Sequence, residues 1–172
     1  MPYKDLAVEL LQRLINDEVK SKFRTNLVKQ RKFSDLLTNS LMKYNNRSIE
    51  AAQVIEELIA MANEFKKDLE KSKELNLSSA ENAFYDALSN NKSAEELMGE
   101  EVLVKIAVEI AEKLRNNVTV DWSVRESVRA RLRLLVKNLL RKYKYPPDSQ
   151  DEAVELVLSQ AETISEELVN NS

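Results

Sequence analysis

The sequence predicts an all-α fold, a single bundle-like domain of about seven to eight helices. Three observations carry that prediction. Apolar residues return at helical spacing along nearly the whole chain. Turn formers are scarce, with Gly99 the one glycine and three prolines in 172 residues, whereas a sandwich or barrel needs many turns. Ser- and Asn-led polar groups sit just ahead of the apolar runs, where helix starts need side-chain acceptors.

The elements follow in order. Leu6, Leu10, Leu11, Leu14, Ile15 and Val19 read as one stripe of a first helix from Tyr3 to about Arg24, with Pro2 acceptable just ahead of it. A second helix starts at Asn26 or Ser34 and carries Leu36, Leu37, Ser40, Leu41 and Tyr44 before Asn45-Asn46 breaks it. Ser48 is expected to cap a long third helix reaching about Leu75, whose apolar set is Ala52, Ile55, Leu58, Ile59, Ala62, Phe65 and Leu69. Ser78-Ser79-Ala80-Glu81 is a capping box opening a short helix through Leu88, and Asn90-Asn91 breaks the chain again. Ser93-Ala94-Glu95-Glu96 is a second box, and Gly99 stands where a helix end wants a left-handed residue.

A sixth helix spans about 100–115, with Val104, Ala107, Val108, Ala111 and Leu114 on one side and Asn116-Asn117 at its end. Val118-Thr119-Val120 is too short to make a sheet. Asp121 or Ser123 caps a seventh helix to about Tyr143, stopped by Pro146-Pro147. Ser149-Gln150-Asp151-Glu152 is a third box, opening a last helix to about Val169. Trp122 is expected to pack at the start of the seventh helix, and Tyr143 and Tyr145 to form a packed corner beside the prolines.

Composition excludes much chemistry. Without His or Cys the chain cannot build zinc fingers, haem ligation, cysteine nucleophiles, Ser-His-Asp triads or His-carboxylate di-iron sites. One glycine cannot supply a phosphate-cradling loop, which needs several positions free of a Cβ. No catalytic residue, metal ligand or cofactor-binding residue is therefore assigned. Asp35 with Glu64-Phe65-Lys66 matches the loose spacing of metal-dependent nucleases, but that chemistry wants acids converging from adjacent strands. Among 29 acidic residues such a match is expected by chance. Glu109 and Glu112 share a helix face and are read as solvated. Nothing resembles a signal peptide, since Asp5 and Glu9 interrupt the first apolar stretch, and no run of 18 apolar residues exists, so no membrane partner is expected. A reducing cytoplasm suits a chain without cysteine.

Charge is uneven beneath a net −3. Residues 124–144 hold eight basic side chains and only Glu126 as an acid. Arg125, Arg129, Arg133, Lys137 and Arg141 recur every four positions, a row that could contact a protein partner or neutralise DNA phosphates. Residues 148–172 hold seven acids and no base. Helices joined by a Pro-Pro turn are often antiparallel neighbours, so the two charge sets can instead complement each other inside the domain. A second basic stretch, Lys20, Lys22, Arg24, Lys29, Arg31 and Lys32, is interleaved by Phe23 and Phe33; these read as core rather than as stacking platforms for single strands.

Several runs together resemble a known family. They are Arg31-Lys32-Phe33-Ser34-Asp35-Leu36-Leu37, Tyr44-Asn45-Asn46-Arg47, Val54-Ile55-Glu56-Glu57-Leu58-Ile59 and Ser79-Ala80-Glu81-Asn82-Ala83-Phe84-Tyr85-Asp86-Ala87-Leu88. Further along stand Val120-Asp121-Trp122-Ser123-Val124-Arg125-Glu126-Ser127-Val128-Arg129-Ala130, the Tyr145-Pro146-Pro147-Asp148 corner and a tail from Ala153 to Glu162. In this order they resemble the C-terminal region of type I restriction enzyme R subunits. The resemblance implies a much larger parent, of which residues 1–172 are a C-terminal fragment and Met1 not a natural gene start. In that family a Mg²⁺-dependent nuclease domain and two ATPase domains precede this region, so ATP and Mg²⁺ belong to the parent enzyme. It also implies docking to the methyltransferase core of M and S subunits, contact with DNA through that complex, and a non-catalytic role. The alternative left open is a DNA-contacting module built on the basic helix 124–144.

Overall fold

The computed structural model describes the backbone of residues 2–116 and 125–170 and the side chains of 5–116 and 126–165. Among the described residues there are eight α-helices and no strand. They are α1 (Pro2–Lys22), α2 (Leu27–Asn45), α3 (Ala51–Leu75), α4 (Ser79–Ser89), α5 (Lys92–Met98), α6 (Glu100–Asn116), α7 (Arg125–Lys142) and α8 (Pro147–Asn170). The all-α expectation holds. Val118-Thr119-Val120, Asp121, Trp122 and Ser123 lie outside the described residues. The helices gather into two compact units, Met1–Asn76 and Leu77–Ser172.

The first unit packs α1, α2 and α3 around Val8, Ile15, Val19, Phe23, Phe33, Leu37, Val54, Leu58, Met61 and Phe65. Three phenylalanines form its aromatic centre. Phe23 and Phe33 stack with centroids 5.9 Å apart, and Phe65 meets both edge-on at 5.1 and 5.3 Å, the offset and T-shaped geometries that ring quadrupoles favour. Phe23 and Phe33 are thus core, as their interleaving suggested.

The turn from α1 to α2 is closed by local polar groups. Asn26 accepts from the Lys29 amide at 3.1 Å, so Asn26, not Ser34, starts the second helix. Just past the end of α1, the Gln30 amide donates to the carbonyls of Phe23 and Arg24 at 2.6 and 2.7 Å, and the Phe23 carbonyl also accepts from the Asn26 amide at 3.1 Å.

Two expectations are corrected in this unit. Ser48 does not cap α3: its amide donates to the Lys43 carbonyl at 2.8 Å while Arg47, at φ +59°, donates to Tyr44 at 3.0 Å. That paired closure of α2 absorbs Ser48, and the next helix starts after Glu50, which makes no side-chain cap. The expected α1 stripe also splits. Ile15 and Val19 are buried with Val8, and Leu11 is half-buried, but Leu6, Leu10 and Leu14 are exposed. On α3, likewise, Ala52, Ile59 and Ala62 lie exposed rather than in the core.

In the second unit α4 is the hub, packed by α5, α6 and α8, while α7 lies along α8. Every residue from Asn82 to Leu88 is buried. The predicted capping box is complete, with the Glu81 amide donating to Ser78 Oγ at 3.2 Å and the Ser78 amide to Glu81 Oε1 at 2.9 Å. The other two boxes are displaced. Asn91 caps α5 by accepting from the Ala94 amide at 3.2 Å, which puts Ser93 inside the first turn. α8 starts at Pro147, whose fixed φ and missing N–H suit a first helical position, so Ser149 is a buried first-turn residue.

Gly99 ends α5 by donating its amide to the Glu95 carbonyl at 3.0 Å. Its φ of +82° and ψ of 158° fall in a region that is essentially glycine-only, although a Cβ there would meet nothing within 4 Å. Gly99→Ala is therefore expected to cost about 1–3 kcal/mol through backbone strain alone. Urea denaturation checks this, and a change below about 0.5 kcal/mol would show the loop relaxes freely.

Candidate functional site

The basic helix α7 was the segment singled out by sequence, and its side chains fall into two sets. The first faces α8. Arg129 donates to Glu162 at 2.8 Å and to Glu155 at 3.3 Å, and Arg133 grips Glu155 through Nε and Nη2 at 3.1 and 2.8 Å. Lys137 lies 3.8 Å from Asp151. As residue numbers rise on α7 they fall on α8, so the helices are antiparallel and the basic and acidic runs complement each other internally.

Exposure decides what each pair contributes. The Arg129–Glu162 side chains are 25% and 18% exposed, so that pair carries most of the ladder. The Asp151 side chain is 93% exposed, and its pair with Lys137 is worth close to nothing.

The second set points outward. Ser127, Arg131, Leu134, Asn138 and Arg141 are all exposed, and their spacing of four, three, four and three places them on one ridge of the helix. Among the described residues Arg131 and Arg141 pair with no acid. Of the five predicted contact residues, Arg129, Arg133 and Lys137 are therefore engaged by α8 and Arg141 is exposed; the Arg125 side chain lies outside the described residues. Sequence reasoning counted Arg131 among the basic residues but placed neither it nor Leu134 on the candidate surface, because the every-fourth-residue row it followed drifts about 40° per step. That row faces α8 from Arg129 to Lys137 and reaches the exposed ridge only at Arg141.

The far end of α7 is tied to α6. The Tyr143 hydroxyl donates to Glu109 at 2.7 Å and Lys142 reaches the same carboxylate at 3.3 Å. These bonds, with Tyr143 contributing most, hold the Glu109 carboxyl below the usual carboxylate range, and the same contact with Glu109 raises the Tyr143 hydroxyl. Glu109, read from sequence as solvated, is instead a half-buried acceptor. Its partners lie about thirty residues along the chain, beyond the reach of helix-face arithmetic.

The packed corner beside the prolines is present. Tyr145 is 1% exposed and donates to the Leu88 carbonyl at 2.7 Å, while the Gln150 amide donates to the Tyr145 carbonyl at 2.9 Å. One side chain thus joins the end of α4 to the α7–α8 turn. Burial pushes the Tyr145 hydroxyl up to about 12, with Glu152 adding to it; burial, then Glu100, Glu95 and Asp86, does the same for Tyr85.

Because these phenols are raised in the fold, their contribution to stability is complete below pH about 10 and lost as pH climbs through 12. An alkaline titration of the folded chain followed at the tyrosinate absorbance should therefore show two of the five tyrosines ionising near pH 12. Five ionising together near pH 10 while the fold persists would contradict the burial.

In the first unit the Asp35–Glu64 pair does not converge. Asp35 is exposed, and Glu64 is held by Lys32 at 3.0 Å. Lys32 also meets Asp68 at 2.8 Å, with Lys29 on the same oxygen at 3.1 Å. Burial works against the Lys32 ammonium, but its bonds to Asp68 and Glu64 outweigh that and hold its pKa above the usual lysine value. Among the described residues no group of three or more Asp or Glu gathers as a metal site. No described helix is long and apolar enough to cross a membrane.

Comparison with known proteins places these helices in context. Residues 1–167 match a family model described as the C-terminal part of "Type I restriction enzyme HindI endonuclease subunit-like" proteins. The chain is 48% identical over 167 residues to the type I restriction enzyme HindI endonuclease subunit of Haemophilus influenzae, covering 97% of this chain and 16% of that protein. It is 33% identical over 141 residues to a protein of Methanocaldococcus jannaschii provisionally named as the type I restriction enzyme MjaIXP endonuclease subunit, covering 81% of this chain and 13% of that one. The chain thus spans less than a fifth of either relative. No solved structure matches it.

Proposed function

The chain belongs to the family formed by the C-terminal part of HindI-like type I restriction endonuclease subunits, and from that premise we propose that it is a non-catalytic assembly domain. In this reading it holds the R subunit against the methyltransferase core of M and S subunits, in the cytoplasm. ATP and Mg²⁺ are used by the parent enzyme, through domains outside these 172 residues.

The observation that supports docking is the division of labour on α7. Arg129 and Arg133 are spent on Glu155 and Glu162 and give the helix a fixed seat on α8. The ridge from Ser127 to Arg141 is left exposed, with Leu134 62% exposed between two arginines. Arginine is one of the residue types that carry most binding energy at protein interfaces, and Leu134 adds exposed apolar area between the two on this ridge.

Size exclusion of the purified chain with a reconstituted methyltransferase core tests the reading. Co-elution at micromolar concentrations is expected, and Arg131→Glu with Arg141→Glu should abolish it. Absence of co-elution for the unmodified chain overturns docking by this region alone.

The DNA-contacting reading draws on the same exposed cations, Arg131, Arg141 and Lys144. Three phosphate contacts predict an affinity that falls about 40-fold between 50 and 200 mM salt. Fluorescence anisotropy with a duplex separates the two readings: no binding at low salt removes the DNA contact, whereas salt-insensitive co-elution with the core favours docking.

A further inference from the structure

A single exposed leucine on a protein surface is ordinary. The first helix carries three in a row: Leu6, Leu10 and Leu14 are 52%, 50% and 61% exposed. Each four-residue step turns about 40° round a helix, so the three make a continuous ridge about 12 Å long. The face of α1 that meets its own core, Val8, Ile15 and Val19, lies on the opposite side. The helix therefore has two apolar faces and one core to fill.

We propose that this ridge is a self-association surface on which a second copy of the chain seats its own α1 in antiparallel register. The sequence around the ridge is self-complementary in that register. With the two helices centred on Leu10, each Leu6 meets Leu14 of the second copy and the two Leu10 side chains meet each other. Arg13 and Glu9 flank the same side of the ridge and are themselves ion-paired at 3.4 Å, with side chains 67% and 63% exposed. In antiparallel pairing that flank faces its own copy, with Arg13 about 3 Å along the axis from Glu9 of the second copy. Two-fold symmetry repeats the contact, so the two Glu9 carboxylates lie at the centre, each met by Arg13 of its own copy and Arg13 of the other, with the two arginines about 9 Å apart along the axis. A parallel pairing would set this charged flank against Ala7 and Leu11, where no charge answers it. The other flank begins with Ala7, small enough to allow close approach.

Three half-exposed leucines bury little area, which places the interface in the small, transient class. A dimer dissociation constant on the order of 10–100 µM is expected.

Sedimentation equilibrium of the full 172-residue chain across 5–500 µM should follow a monomer–dimer equilibrium. Leu10→Lys should shift dissociation at least tenfold weaker while circular dichroism and the melting temperature stay unchanged, because the leucine is exposed. The charge variants are an independent check that leaves the leucines intact. Glu9→Arg alone should weaken association and Glu9→Arg with Arg13→Glu should restore it. A chain that stays monomeric at 500 µM overturns the proposal. So does a dimer indifferent to both Leu10→Lys and the charge variants, since its interface would lie elsewhere.

Discussion

Phe33→Ala is expected to cost the first unit about 3–5 kcal/mol. Phe33 is fully buried, stacked on Phe23 and met edge-on by Phe65, so it touches the partners that α1 and α3 contribute to the same cluster. Truncation removes the transfer energy of a whole ring and leaves a cavity between two rings, each of which has lost a favourable ring–ring contact. A three-helix unit of 76 residues has a total stability near the low end of the usual range of about 5–15 kcal/mol. The loss therefore takes most of what there is. Hydrogen exchange resolved by peptide should show protection collapsing across α1–α3. Protection should persist in α4 and α6, whose core residues Phe84, Leu88, Leu103 and Ile106 belong to the second unit. A cost under about 1 kcal/mol would mean that the aromatic cluster repacks without Phe33.

Element order and class were legible because helix periodicity and a scarcity of glycine and proline are strong local signals. The capping box at Ser78 was legible for the same reason: both of its bonds lie within four residues. The antiparallel seat of α7 on α8 followed from a short turn and two opposed charge runs. Ser48 and Ser149 were misread because a good cap residue is a competitor, not a guarantee. At Ser48 the closure of the preceding helix took the residue first, and at Ser149 Pro147 started the helix two residues earlier. The leucines of α1 mark a deeper limit. Periodicity reveals that apolar residues share a sector of a helix, but Val8, Ile15 and Val19 occupy one sector and Leu6, Leu10 and Leu14 another. Which sector meets the core depends on α2 and α3, which no spacing within α1 encodes. The split of α7 into an engaged edge and an exposed ridge was hidden for the same reason.

Tyr145 carries the second large effect, and its two truncations separate packing from hydrogen bonding. Tyr145→Phe keeps the ring and deletes the hydroxyl that donates to the Leu88 carbonyl. That carbonyl belongs to the last turn of α4, where no intrahelical donor remains, and the site is buried. Leaving it unsatisfied is expected to cost about 1–3 kcal/mol. Tyr145→Ala also removes the ring from its 1%-exposed seat, and the cost rises to about 3–5 kcal/mol. The consequence reaches the proposed docking ridge, because Tyr145 and the Gln150 bond to its carbonyl fix the turn that sets α7 along α8. Loosening that turn lets Arg129 and Arg133 slip from Glu155 and Glu162 without any change on the ridge itself. Denaturation midpoints should order wild type above Tyr145→Phe above Tyr145→Ala. Core binding by Tyr145→Phe, measured where the variant is still folded, should fall less than that of Arg131→Glu with Arg141→Glu. Equal midpoints for wild type and Tyr145→Phe would mean that the Leu88 carbonyl finds another donor, and the tie from α4 to the α7–α8 turn would then rest on the ring alone.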